Sequence, residues 1–307
     1  MIRHENPIVA IDPCSRLPSV RHALTVDLED YYQVSALAGA IRRSDWQDYP
    51  SRVEAATHRL LDLFDRRRTR ATFFVLGYEA EHRPALIRTI SQRGHELACH
   101  GYDHRLLTDM TPEVFRNDLR RARSSIEDAA GAGVSGYRAP SYSITRKTLW
   151  ALDILASEGF TYDSSIFPVH HDRYGISDHH RHLHRLRLSS ERSLIEFPPT
   201  TLRCCGVNLP AAGGGYLRQL PWKVFHFALE RSARRHGMPG LLYLHPWEID
   251  PDQPRVSVNR LTRIRHYRGL AGMERKVDQL LDRLEFAPMG EIIDSSARSI
   301  ESARDES

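Results

Sequence analysis

The 307-residue chain has little of several things, and each shortage narrows the reading. Its four cysteines, Cys14, Cys99, Cys204 and Cys205, form no CxxC pair. The vicinal Cys204 and Cys205 could not close an ordinary disulfide without strain, so reduced thiols fit better than a stapled secreted scaffold. No stretch approaches the roughly 20 apolar residues of a membrane span. Residues 1–19 hold no apolar core of signal-peptide length. The expectation is a soluble, cytoplasmic protein, able to work beside a membrane surface. Neither sign of charge dominates, with 43 Lys and Arg against 39 Asp and Glu. The arginines near 66–68, 120–123 and 231–235 fall on helix-like segments. They read first as solvated helix faces and second as contacts to an anionic polymer, with no nucleic-acid partner implied. No repeat or linker divides the chain. Residues 1–20 read as a flexible arm, 21–292 as one domain and 293–307 as a flexible tail.

Within that domain short apolar runs alternate with amphipathic ones. Residues 22–26, 71–76, 96–99, 136–138, 160–162 and 240–244 predict strands. Helices are predicted over 53–67, 84–93, 147–158, 220–236 and 271–284. A further helix is capped by Thr111, carries Pro112 in its first turn and runs to Ala130. Strands that are apolar throughout, rather than alternating, belong to a parallel sheet covered by helices. The fold class is therefore α/β, a distorted (β/α) barrel with about seven parallel strands. Residues 168–187 form a histidine-rich irregular loop, and Gly213 to Gly215 mark another.

In such a fold chemistry gathers at the C-terminal ends of the strands. Five predicted ends carry residues that a core would reject. Asp27, Glu29 and Asp30 follow the first apolar run, and crowded carboxylates suit a cation better than they suit one another. A solvated turn or helix cap is the plainer alternative there. His100 and His104 follow the run at 96–99, and their spacing of four lets two imidazoles share one face of a helical turn. Arg138 opens an Arg-Ala-Pro-Ser-Tyr stretch, in which the guanidinium can hold a carboxylate and the loop over 138–143 can aim backbone N–H groups at an oxyanion. Asp163 ends the run at 160–162, as an acid or as a turn cap. His245 closes 240–244 as a proton donor or a satisfied core histidine, and a carboxylate such as Asp163 nearby would favour its charged form. Tyr31, Tyr32, Tyr142, Trp222 and Trp247 could stack on sugar rings or pack in the core. The six histidines between 170 and 184 read first as a solvated loop and second as contacts to substrate.

In this order the five stations, with ATFFVLG at 71–77, resemble the polysaccharide deacetylase superfamily, carbohydrate esterase family four. TVDLEDYYQVSA, DSSIFPVHHDRYG and LHPWEIDPDQPR are similar to its subfamily with a C-terminal extension, associated with exopolysaccharide and exosortase systems. The resemblance implies a hydrolase that removes N-acetyl groups from amino sugars of a polysaccharide or its lipid-linked precursor. It implies a divalent metal, zinc first and cobalt or another first-row ion as alternatives. Asp27 matches the catalytic base and Arg138 the residue that orients it. His100 and His104 match the metal imidazoles, Asp163 the carboxylate that tunes the acid, and His245 that acid. Leu244 would line the acyl pocket, and Tyr142 and Trp247 would contact substrate. One departure stands out: the family places two adjacent aspartates where this chain has Asp27 and Leu28. The metal carboxylate is then Glu29 or Asp30, and strand alternation favours Glu29. The departure also admits a metal amidohydrolase acting on a small cyclic amide or imide. A non-catalytic glycan-binding protein is the rival of another class.

Overall fold

The computed structural model describes residues 6–14, 20–171 and 173–296. Its strands are β1 (Ile8–Pro13), β2 (His22–Leu28), β3 (Thr72–Val75), β4 (Glu96–Cys99), β5 (Gly136–Tyr137), β6 (Tyr162–Asp163), β7 (His184–Leu188), β8 (Ser193–Glu196), β9 (Thr201–Cys204), β10 (Val207–Pro210), β11 (Leu241–Leu244) and β12 (Phe286–Ala287). The α-helices are α1 (Val53–Arg66), α2 (Gly77–His82), α3 (Pro84–Gln92), α4 (Pro112–Ala130), α5 (Trp150–Ser157), α6 (Gly214–Gln219), α7 (Trp222–Arg231), α8 (Arg260–Tyr267) and α9 (Met273–Leu281).

All seven residues of β2 are buried, because both faces of the strand are covered. Around it the strands β11-β2-β3-β4-β5-β6-β8 run parallel. β12 also pairs with β2 in parallel, so eight strands run parallel where about seven were expected. β7 and then β1 extend the β8 edge in antiparallel fashion. The ladder does not close, since β8 and β11 are not paired. Residues 197–213 cross that seam with isolated bonds. Leu241 N donates to Thr200 Oγ1 at 2.6 Å, and Tyr243 N donates to Ala212 O at 3.0 Å.

The helices pack on the outer side of the sheet, where Phe64, Phe73, Phe115, Leu119, Leu242 and Leu244 share one apolar cluster. Full burial of each such side chain contributes about 1.5–3 kcal/mol. The longest helix, α4, begins as its sequence dictates: Thr111 Oγ1 accepts from Val114 N at 3.2 Å, and Gly131 ends it at φ 68°.

Several elements depart from the sequence reading. Residues 8–13, assigned to a flexible arm, form β1, whose register pairs Ile11 with Leu186. The rest of that arm up to residue 5, and 15–19, lie outside the described residues. Of the tail, 293–296 are helical and the remainder lies outside them. β7 takes the end of the histidine-rich loop; its alternating burial marks an outer strand with one covered face. Gly214 and Gly215 open α6 instead of forming a loop. Among the described residues no helix is long and apolar enough to cross a membrane.

Because the central strands are parallel, their C-terminal ends form one rim. Asp27, His100, Arg138, Asp163 and His245 all stand at or just beyond those ends.

Candidate metal centre and active site

Glu29, His100 and His104 converge at this rim. One ligand atom from each lies within 4.8 Å of the others, and all three residues are buried. His104 Nε2 is 3.0 Å from Glu29 Oε2, an oxygen that accepts no hydrogen bond. His100 Nδ1 sits 2.7 Å from the carbonyl of Arg138, an outer bond that fixes the ring and turns Nε2 toward the cluster. Burial lowers His100, and lowers His104 to about 4, so both rings are neutral and able to ligate. Burial raises Glu29, but the facing imidazoles of His104 and His245 outweigh it and bring the carboxyl down to about 2. A buried carboxylate oxygen without a donor, beside two neutral imidazoles, is a donor set that fits a divalent ion.

The histidines do not meet through a helical turn, as their spacing suggested. Residues 100–104 form an irregular loop with Gly101 at φ 75° and His104 at φ 56°. Alternation along β2 holds as expected: Leu28 enters the core while Asp27 and Glu29 line the pocket. Asp30 is not part of the cluster. Its Oδ2 accepts from Ser51 Oγ, Arg52 N and Val53 N at 2.6, 2.9 and 3.1 Å, and its Oδ1 from Tyr31 N at 2.9 Å. It serves instead as a cap for the start of α1, beyond the reach of a ligand role.

Arg138 is fully buried and reaches Asp27 Oδ1 through Nη1 at 2.6 Å. Nη1 also meets Thr25 Oγ1 at 2.9 Å, Nη2 meets Ser164 Oγ at 2.9 Å, and the guanidinium lies 4.0 Å over the Phe74 ring. On the opposite flank His245 Nε2 stands 3.0 Å from Glu29 Oε1 and 3.8 Å from Asp27 Oδ2.

The partner of His245 is not Asp163. Its Nδ1 lies 3.1 Å from Glu248 Oε2, which also accepts the His245 backbone N–H at 3.1 Å. Glu248 is in turn held by Arg218 Nε at 2.8 Å, with both side chains buried. Burial alone would lower His245, but Glu29 and Glu248 raise it to about 10. Gly214 makes room for this arrangement, since a Cβ there would stand 1.8 Å from Glu248 Oε2. Glu248 and Arg218 were missed in the sequence. The available signal was His-Pro-Trp-Glu, the spacing of a capping box, which puts the acid three residues after the histidine.

Asp163 lies elsewhere, where it accepts a hydrogen bond from the Ser165 hydroxyl and stands against the buried Glu196. Leu244 also departs from its expected place. It packs in the outer core, because alternation along β11 sends Tyr243 and His245 inward and Leu244 outward. Tyr142, Tyr243 and Trp247 line the pocket, with Trp247 stacked between His245 and His266. Tyr31, Tyr32 and Trp222 do not line it. Of the histidine-rich run, His171 does, whereas His179 and His184 are buried instead of solvated.

Comparison with known proteins now bears on this geometry. Residues 46–162 match the family model described as polysaccharide deacetylase, and residues 164–294 one described as a domain of unknown function (DUF3473). Neither match alone spans half of the chain, and the first makes residues 46–162 similar to polysaccharide deacetylases. It is 30% identical over 146 residues to a peptidoglycan deacetylase of Helicobacter pylori, covering 45% of this chain and 48% of that protein. It is 30% identical over 98 residues to a peptidoglycan-N-acetylglucosamine deacetylase of Bacillus cereus, covering 32% and 36%. The chain thus spans less than half the length of these curated relatives. A solved Mycobacterium smegmatis protein assigned to the polysaccharide deacetylases shares the fold, with a TM-score of 0.61 at 21% identity over 94% of this chain and 96% of that one. The site draws on both matched segments: His100, His104 and Arg138 lie in the first, and Arg218, His245 and Glu248 in the second.

Two outcomes test these placements. Asp30→Ala should cost about 1–2 kcal/mol of unfolding free energy, as lost helix caps do, and leave metal content unchanged. Glu29→Ala should lower metal content, read by elemental analysis of the purified proteins. Burial also holds Asp163 at about 6 and raises Glu196. A carboxyl raised in the folded state favours folding at low pH, and that advantage is lost as pH climbs past its folded value. Stability should therefore fall between about pH 4 and about pH 7, and Glu196→Gln should flatten that slope in denaturant titrations.

Proposed function

We propose that the protein is a metal-dependent hydrolase that removes N-acetyl or other N-acyl groups from amino sugars of a polysaccharide or its lipid-linked precursor. The observation that carries this reading is a single pocket holding a three-ligand cluster, with Asp27 and His245 on its flanks. Glu29, His100 and His104 would hold the ion, zinc first by their donor types and cobalt next. When bound, the ion supplies Lewis acidity toward a water and toward the amide carbonyl.

Asp27, steadied by Arg138, accepts the proton of the attacking water. In the loop after Arg138, the N–H groups of Arg138, Ala139, Tyr142 and Ser143 are bonded to Cys99 O, Ser165 Oγ, Ala139 O and Pro140 O. Pro140 has no N–H, so Ser141 supplies the donor available to the developing oxyanion. His245, charged and held by Glu248, gives its proton to the departing nitrogen as the C–N bond breaks. The products are a carboxylate, acetate for an acetyl substrate, and a free amino sugar. The buried indole N–H of Trp247 has no protein partner and can meet a sugar hydroxyl.

A second hollow adjoins the first and shares Ser35, His104, Leu106 and Arg173 with it, running on to Trp46. That length suits an oligosaccharide better than a small cyclic imide. Place in exopolysaccharide assembly and a cytoplasmic location beside the membrane extend the same proposal.

Deacetylation of N-acetylated oligosaccharides should vanish on chelation and return with zinc. Asp27→Asn and His245→Ala should each lower kcat by about 100- to 10,000-fold, the usual value of a proton-transfer group. Glu248→Gln should lower kcat with little change in KM. Activity that survives complete metal removal, or normal rates in Asp27→Asn, would overturn the mechanism.

A further inference from the structure

A separate hollow of about 300 Å³ lies where β9 meets α7 and the segment at 181–182. It shares no lining residue with the catalytic pocket. Arg181, Arg203, Arg231 and Arg235 line it, with His182 and Thr201 among the rest, and no Asp or Glu does. Two polar atoms there are buried without any partner: Arg181 Nη1 and Thr201 Oγ1.

Several other guanidiniums are matched to acids, Arg67 to Asp278 and Asp282, Arg93 to Asp62 and Asp65, Arg120 to Glu158, whereas the four in this hollow have no Asp or Glu among the residues that line it. A cation withdrawn from water without a counter-charge costs stability. Burial, with Arg203 and Arg231 nearby, pushes Arg181 below its ordinary value. Burial, with His236 and Arg181, holds His182 at about 3. The C-terminal end of α7 favours cations on α7 itself. It does not account for Arg181 and Arg203, which reach the same hollow from other segments.

A group that satisfies several guanidiniums and a hydroxyl at once must be compact, anionic and rich in acceptors. Phosphate oxygens meet that description, and the guanidinium fork matches them in bidentate fashion. We infer that this hollow is a binding site for a phosphate or diphosphate group, independent of the catalytic reading. The group belongs either to a soluble phosphate ester or to a lipid headgroup. Exposed Val207 and Leu209 on the β9–β10 hairpin and exposed Phe227 on α7 give the second source a physical basis.

The test uses the full chain with two probes, inorganic pyrophosphate by calorimetry and vesicles of phosphatidylglycerol against phosphatidylcholine by sedimentation. Saturable pyrophosphate binding, weakened at least about tenfold in Arg181→Gln/Arg231→Gln, supports the site. Capture by phosphatidylglycerol vesicles alone, lost in the same variant, supports it with a lipid as the source. The exposed Arg203→Gln serves as a second variant should the double one fail to fold. Metal content stays unchanged in all of them, so failure here is distinguishable from failure of the catalytic reading. Absence of binding to both probes, or binding indifferent to these substitutions, overturns it.

Discussion

Glu29 sets the terms for the rest of the site. Its carboxylate is buried among three imidazoles, and one oxygen has no donor. A charge in that position cannot be left uncompensated in a low-dielectric rim. The cation beside it is His245, whose Nε2 lies 3.0 Å from Glu29 Oε1 and which the proposed chemistry also uses. His100 and His104 stay neutral because burial opposes their charge. His245 alone becomes cationic, because it is hydrogen-bonded to Glu248 and faces Glu29, which together outweigh its burial.

The same logic appears on both flanks as an acid or base tied to a buried arginine. Arg138 holds Asp27, and Arg218 holds Glu248, which holds His245. Every guanidinium nitrogen of both arginines donates a hydrogen bond. Arg138 also binds Thr25 and Ser164, and Arg218 binds the carbonyls of Arg265, His266 and Arg268. Buried ion pairs stabilise little by themselves and tolerate little damage, because removing one partner strands the other. Their contribution here is geometric: each proton-transfer group is held to one position by several bonds.

Much of this was legible in the sequence where local rules decide. Apolar runs without alternation gave a parallel sheet, and Thr111-Pro112 placed the start of α4. Alternation along β2 separated Leu28 from Asp27 and Glu29. What escaped depends on where distant segments meet. Asp30 looked like a ligand beside Glu29, yet its partners are Ser51, Arg52 and Val53, twenty residues away in the chain. Asp163 was paired with His245 because both end apolar strands and because the resemblance implies it. The real partner stands three residues from the histidine, hidden as an ordinary acid in a turn. The histidine-rich run looked solvated because polarity was read without the strand β7 that buries part of it.

The replacement of Asp163 by Glu248 has a consequence for domain organisation. A tuning carboxylate on β6 would belong near the first matched segment; Glu248 belongs wholly to the second, and so does the arginine that holds it. β3, β4 and β5 of the first segment and β8 and β11 of the second belong to one sheet, and His245 follows β11 beside the end of β2, which carries Asp27, so the two segments share a sheet as well as a pocket. Separating them would leave His100, His104 and Arg138 with no acid, and His245 with no ligand cluster to face. The second segment therefore shares the sheet and the pocket of the first: its β11 and β12 both pair with β2, and it carries His245 and Glu248, one half of the proposed proton transfer.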